Sequence, residues 1–175
     1  MRERNTAQLF YNFRNKFSYN FERSDQKAAK TKKSMNLIEE YNKKYKFFRD
    51  ITGEAMRVHR KFHSGLLESA YEAALKYLLE QKGYTVERQK FLPIFWDEVE
   101  LDQTYRMDLV VNGSIILELK AVNFVDKEHR RQLFNYMHLT HSEYGMIINF
   151  GSDRLFSEWY RRDPATGEIE KVNLL

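Results

Sequence analysis

The 175-residue chain contains no cysteine. That removes disulfide staples, thiolate nucleophiles and cysteine-ligated zinc together, and it suits a reducing compartment. No apolar run approaches the roughly 18 residues of a membrane span, and the first residues carry charge where a secretory leader needs an apolar core. A soluble, cytoplasmic protein that does not enter membranes is therefore expected. The seven glycines are scattered, and none forms Gly-x-Gly-x-x-Gly or a Walker sequence, so no nucleotide-phosphate loop is expected. Nor does any nucleophile-elbow sequence announce a serine hydrolase.

What the chain has in quantity is apolar residues, 42%, with 15% aromatic, enough at this length for one domain with a sizeable core. Its charge is unevenly placed. Residues 1–46 hold 12 Lys/Arg against 5 Asp/Glu, a net +7, whereas residues 47–175 hold 17 against 20, a net −3. The chain divides into a basic, aromatic N-terminal extension (1–46) and a mildly acidic body (47–175). In the extension Phe10, Phe13, Phe17 and Phe21 recur at helical spacing among basic residues, and 24–34 reads as a polar linker. A short helix docked on the body, a tail, a direct contact to nucleic acid through bases and rings, and a stripe that recruits a partner all fit that pattern.

Along the body, apolar periodicity predicts helix over 35–63 with a break near Gly53, and a second helix over 66–82. The second carries Leu67, Tyr71, Ala74, Leu75 and Leu78 as its apolar stripe and ends at Gly83. Strands are expected at 84–89 and 92–96, a third helix over 127–141 with Asp126 as N-cap, and a buried strand at 144–150. A turn at 163–167 separates two final strand candidates. Helices, meandering strands, helix and strand in that order indicate an α/β domain with a mixed sheet.

The chemical content is concentrated in 105–122. Odd positions are apolar except Gly113, with Tyr105, Met107, Leu109 and Val111 on one arm and Ile115, Leu117, Leu119 and Ala121 on the other. Even positions carry Arg106, Asp108, Val110, Ile116, Glu118 and Lys120. Alternation of this kind means a β-hairpin with one apolar and one mixed face. A two-residue Asn112-Gly113 turn would pair Met107 with Glu118 and mix the faces. A loop with an odd number of residues pairs even with even, and sets Asp108 on the face of Glu118 and Lys120. Two carboxylates and an amine on one face suit a divalent metal, or else form a charge ladder with Arg106 on a solvated strand face. His59 and His63 lie four apart on a helix, a zinc grip or a plain helix-surface pair, without the Glu of His-Glu-x-x-His.

With this hairpin the chain resembles the PD-(D/E)xK nuclease superfamily, whose motif is matched by Asp108 and by Glu118-Leu119-Lys120. Within it the chain is similar to the GxxExxY family through Gly65-Leu66-Leu67-Glu68-Ser69-Ala70-Tyr71, and Gln132-Leu133-Phe134-Asn135-Tyr136 resembles the QxxxY element of exonucleases in that superfamily. The likeness covers roughly 50–155. It implies a restriction-endonuclease-like α/β core, a mixed central sheet flanked by helices, here with an N-terminal helical extension. It further implies a metal-dependent nuclease hydrolysing phosphodiester bonds, with DNA the expected substrate. The alternative is a nucleic-acid-binding or protein-interaction module of the same fold with weak or lost catalysis.

On that resemblance, Asp108 and Glu118 are the carboxylate ligands of Mg²⁺ or Mn²⁺, with the Leu119 carbonyl a third ligand and Glu68 joining directly or through water. Lys120 holds or deprotonates the attacking water. Gln132 and Tyr136, four apart on one helix face, position the phosphate or a metal-bound water, and Glu68 counts with them among the catalytic groups. Read by itself, Glu68 is a carboxylate favoured by a helix N-terminus. The expected partner is nucleic acid, DNA first; the oligomeric state is open.

Overall fold

The computed structural model describes residues 45–173; the aromatic stripe, the linker and the helix expected before residue 45 lie outside them. Among the described residues the elements are α1 (Lys46–Phe62), α2 (Glu68–Gln81), β1 (Val86–Trp96), β2 (Val99–Val111), β3 (Ile115–Lys120), α3 (Lys127–Leu139), β4 (Tyr144–Asn149), β5 (Phe156–Arg162) and β6 (Ile169–Lys171). The six strands form one sheet in sequential order. β3 and β4 are parallel and every other neighbouring pair is antiparallel, because α3 returns the chain to the end at which β3 began. This is the expected mixed sheet flanked by helices.

Helices cover both faces. On one, Phe48 of α1 stacks on Trp159 at 5.8 Å and Tyr71 of α2 lies flat on Phe150 at 4.5 Å and 6°. On the other, Leu133, Tyr136 and Met137 of α3 pack with Val110, Ile116, Ile147 and Tyr160. β3 lies between the two layers and all six of its residues are buried, as befits a strand enclosed on both faces. No helix among the described residues is long and apolar enough to cross a membrane.

Four local expectations are corrected. α1 runs through Gly53 without a break: a helix-interior glycine costs about 1 kcal/mol, and burial of Phe48, Ile51 and Val58 on one face, at about 1.5–3 kcal/mol each, outweighs it. The buried stripe of α2 is Tyr71, Glu72, Leu75 and Leu79, while Leu67 is 79% exposed; Tyr71 against Phe150 sets the helix phase. Gly83 does end α2, at φ 90°, with Tyr84 N–H donating to Leu79 C=O (3.1 Å) and Gly83 N–H to Glu80 C=O (3.0 Å), a Schellman closure. β1 is one strand rather than two, because β2 pairs with it straight through 90–93, across the expected gap, before the register shifts between Pro93 and Phe95, and Gln89 within it adopts φ 52°.

The fourth correction concerns the hairpin faces. Leu109, Leu117, Met146 and Trp159 are successive cross-strand partners, so Leu109 faces the α1 layer. Met107 nonetheless packs with Val110 and Ile116 against α3, and Tyr105 meets Tyr136 at 5.8 Å. The odd positions of β2 therefore change face at Asp108, opposite the left-handed Gln89, while the register holds from Arg88↔Leu109 to Lys90↔Met107.

Candidate active site

β2 and β3 pair Val111 with Ile115, Val110 with Ile116 and Leu109 with Leu117, so even meets even across the three-residue loop 112–114. Asn112 and Gly113 take φ 50° and 70°, and Ser114 N–H reaches Val111 C=O at 3.2 Å. Asn-Gly thus makes a tight turn, and Ser114 is the extra residue that sets the parity. Asn112 also clips the loop to the start of β1, its N–H donating to Thr85 C=O (2.8 Å) and its Oδ1 accepting from Thr85 N–H (3.0 Å).

Past Leu109 and Leu117 the two strands part. Asp108 Oδ2 accepts the Leu119 N–H at 2.8 Å, so a side chain takes the place of a strand. Lys120 C=O accepts from Phe150 N–H on the β4 side. Adjacent residues of a strand direct their backbone groups to opposite sides, so the Leu119 carbonyl faces the gap that Asp108 enters.

Glu118 and Lys120, both on the α3 side of β3, form a buried ion pair, which rules out a ladder on a solvated face. Lys120 Nζ takes Glu118 Oε1; Oε2 is buried and has no hydrogen-bond partner. Burial pushes the Glu118 carboxyl up to about 8, with the Asp108 charge adding to the effect and Lys120 opposing it. Burial likewise raises Asp108 to about 6 against the Leu119 hydrogen bond and the Lys120 charge. For Lys120, burial works against the ammonium, but Glu118, Asp108 and Glu68 outweigh it and hold the amine above its ordinary value. At neutral pH Lys120 is a donor of hydrogen bonds, not an acceptor of protons.

α2 reaches this pair from the other layer. Gly65, at φ 110°, turns the chain into the helix. The Tyr71 hydroxyl donates to His63 C=O (2.7 Å) and accepts from Leu66 N–H (3.1 Å), pinning that turn. Glu68, the first helical residue, accepts the Ala121 N–H at 3.2 Å and so bridges α2 to the end of β3. Opposite it, Asn149 holds both backbone groups of Val122, accepting its N–H (3.0 Å) and donating to its carbonyl (2.8 Å).

α3 starts at Asp126, which accepts from Glu128 N–H (2.9 Å) and His129 N–H (3.0 Å), while its own N–H donates to His129 Nδ1 (3.1 Å). This capping box accounts for His129. Gln132 lines the cleft of about 850 Å³ that also exposes Glu68, Asp108 and Lys120. Tyr136 is buried behind it, its hydroxyl accepting from Gln132 Nε2 at 3.0 Å and directed at Arg106 C=O at 3.4 Å. The two are joined by that hydrogen bond, with Gln132 at the cleft and Tyr136 behind it rather than lining it.

A family model of the PD-(D/E)XK nuclease superfamily matches residues 45–162, the span from α1 through β5. The chain belongs to the PD-(D/E)XK nuclease superfamily. No curated protein and no solved structure matches it.

The donor set of this PD-(D/E)XK site fits a hard divalent cation. An orphaned Glu118 oxygen, the Asp108 carboxylate and the Leu119 carbonyl are all oxygens, with no sulfur or imidazole among them. Among the described residues no three His, Cys, Asp or Glu side chains gather into a metal-holding group. Two carboxylates and a carbonyl are the kind of set that waters and phosphate would complete around such a cation. Glu68 stands at the edge, tied to Ala121. His59 is buried with Nε2 2.9 Å from Ser152 C=O, and His63 lies beyond α1 at φ 55°, so the two make no zinc grip.

Three cleft residues of this PD-(D/E)XK site escaped the sequence reading. Buried Glu72 accepts from Arg88 Nε and Gln89 Nε2, both at 2.8 Å, and Gln89 Nε2 lies 3.5 Å from Asp108 Oδ1. Glu72 follows Glu68 by four residues on one helix face, a legible signal; Gln89 had none, because its place depends on strand register.

Proposed function

We propose that this protein is a metal-dependent nuclease that hydrolyses phosphodiester bonds in DNA, with Mg²⁺ or Mn²⁺ as its cation, and that it falls in the GxxExxY group through Gly65, Glu68 and Tyr71. The observation that carries the reading is Glu118 Oε2, buried without a partner beside Asp108. A buried carboxylate in that state is costly, and a cation relieves it.

When bound, the cation supplies charge stabilisation at phosphorus and a water acidic enough to attack at neutral pH. Asp108, Glu118 and the Leu119 carbonyl would hold it, with Glu68 joining directly or through water. Lys120, charged and anchored on Glu118, donates to the attacking water or a phosphate oxygen and orients it. Gln132, braced by Tyr136, presents its amide to the phosphate. Nucleic acid is then the partner and the cytoplasm the setting.

The test is cleavage of single-stranded DNA, duplex DNA and RNA with Mg²⁺ or Mn²⁺, by the wild type, Glu118→Ala and Lys120→Ala, with circular dichroism reporting folding. Metal-dependent cutting of DNA, abolished in both folded variants, is the expected result. No cutting of any substrate, together with no Mg²⁺ binding by calorimetry, would leave a binding module of the same fold.

A further inference from the structure

β3 pairs with β2 only from Leu109 to Val111, so beyond that point β1 and β2 continue as a two-stranded arm, exposed throughout 95–106. Charge is partitioned along it. Near the cleft stand Arg88, Lys90 and Arg106 with two acids, Glu87 and the site carboxylate Asp108; around the far turn stand Asp97, Glu98, Glu100 and Asp102 with no base among them. Phe91 pairs with Arg106 across the ladder, so the two side chains share a face. Arg106 lines the cleft, and the Phe91 ring beside it is 69% exposed. Arg88 is preset: its Nε is held by Glu72 (2.8 Å) and its Nη2 by Ser69 C=O (3.0 Å), which leaves Nη1 for the cleft.

We propose that Phe91 is a stacking platform for a base of single-stranded DNA, that Arg106 and Arg88 take the adjoining phosphates, and that the acidic end of the arm turns away the second strand of a duplex. The assignment rests on the nuclease reading above and names its substrate class. An exposed ring can take the face of a base only where that base is unstacked, which a single strand offers and a duplex does not. Nonspecific duplex binding draws on a broad basic face, whereas this body carries a net −3 and ends its arm in carboxylates. A single strand needs only the short basic track beside Phe91.

The experiment measures binding of the full chain to a fluorescein-labelled 20-nucleotide single strand, the same sequence as a duplex, and the same sequence as RNA, by anisotropy without divalent cation. The single strand should bind at least about tenfold more tightly than the duplex. Phe91→Ala should weaken single-strand binding by about tenfold and Phe91→Trp should retain it. Replacing Asp97, Glu98, Glu100 and Asp102 by their amides should raise duplex affinity. Equal binding of single strand and duplex, or Phe91→Ala binding like the wild type, would overturn the proposal, and tighter binding of RNA would overturn the choice of polymer. Cleavage assays separate the two readings: metal-dependent cutting with no preference for single strands sinks this inference and leaves the nuclease, whereas a single-strand preference without any cutting sinks the nuclease.

Discussion

Asp108 accepts the backbone N–H of Leu119 at 2.8 Å, at the point where β2 and β3 cease to pair. One carboxylate thereby holds the strands apart with one oxygen and offers the other to the cleft. Asp108→Asn keeps an acceptor for Leu119, so the variant should melt within about 1 kcal/mol of the wild type. Its metal-dependent DNA cleavage should fall by on the order of a hundredfold or more. Added Mg²⁺ should raise the melting temperature of the wild type and leave that of the variant unchanged. An equal Mg²⁺ shift in both proteins would remove Asp108 from the metal site.

Tyr71→Phe removes a hydroxyl that joins His63 and Leu66 and leaves the ring on Phe150. Loss of two hydrogen bonds should cost about 1–2 kcal/mol in urea unfolding. Because the same turn presents Glu68, kcat should fall with little change in KM. Wild-type turnover in this variant would make the tyrosine a packing residue only.

Gly151→Ala meets backbone rather than side chain: a Cβ there would lie 2.3 Å from the Val122 nitrogen and 2.4 Å from its carbonyl oxygen. Overpacking against atoms that cannot swing aside should cost about 3 kcal/mol or more, read as loss of soluble protein or a sharply lowered melting temperature. Gly53→Ala, with nothing within 4 Å of the added carbon, should stabilise α1 by up to about 1 kcal/mol and serves as the control.

Glu158 gives the acid limb of the stability curve. Burial pushes its carboxyl up, but Arg130, Lys171 and Tyr160 outweigh burial and hold it at about 2, below the ordinary 4.5. Arg130 Nε and Lys171 Nζ each donate to it at 2.7 Å and the Tyr160 hydroxyl at 2.9 Å. A depressed folded pKa means stability that is present above about 4.5 and lost as pH falls through about 2. Glu158→Gln should therefore cost on the order of 3 kcal/mol at pH 7, and the gap to the wild type should close between pH 4.5 and 2. A gap independent of pH would mean that packing, not charge, ties α3 to β5.

Local chemistry explains why so much of the site was legible. Asn112-Gly113 can turn left-handed, the alternation around it demands an odd loop, and the charges at 108, 118 and 120 stand out against apolar neighbours. Asp126 and Gly83 announce a cap and a helix end by the same short-range rules. The errors arose where distant segments meet. Leu67 looked like core and is exposed, because Tyr71 on Phe150 fixes the phase of α2. The even face of β3 could be solvated or buried on sequence alone, and α3 buries it.

By itself, then, the sequence determined most of the elements, the parity of the hairpin and which carboxylates and lysine the candidate site gathers, all properties of residues within a few positions of one another. The tertiary structure alone decided that Glu118 and Lys120 lie buried on the α3 face of β3, that Gln89 turns left-handed opposite Asp108, and that Asn149 and Gly151 clasp the exit of β3. Each depends on pairing across many residues of chain, where burial, and with it the electrostatics of the site, is set by what packs on top and not by neighbours in sequence.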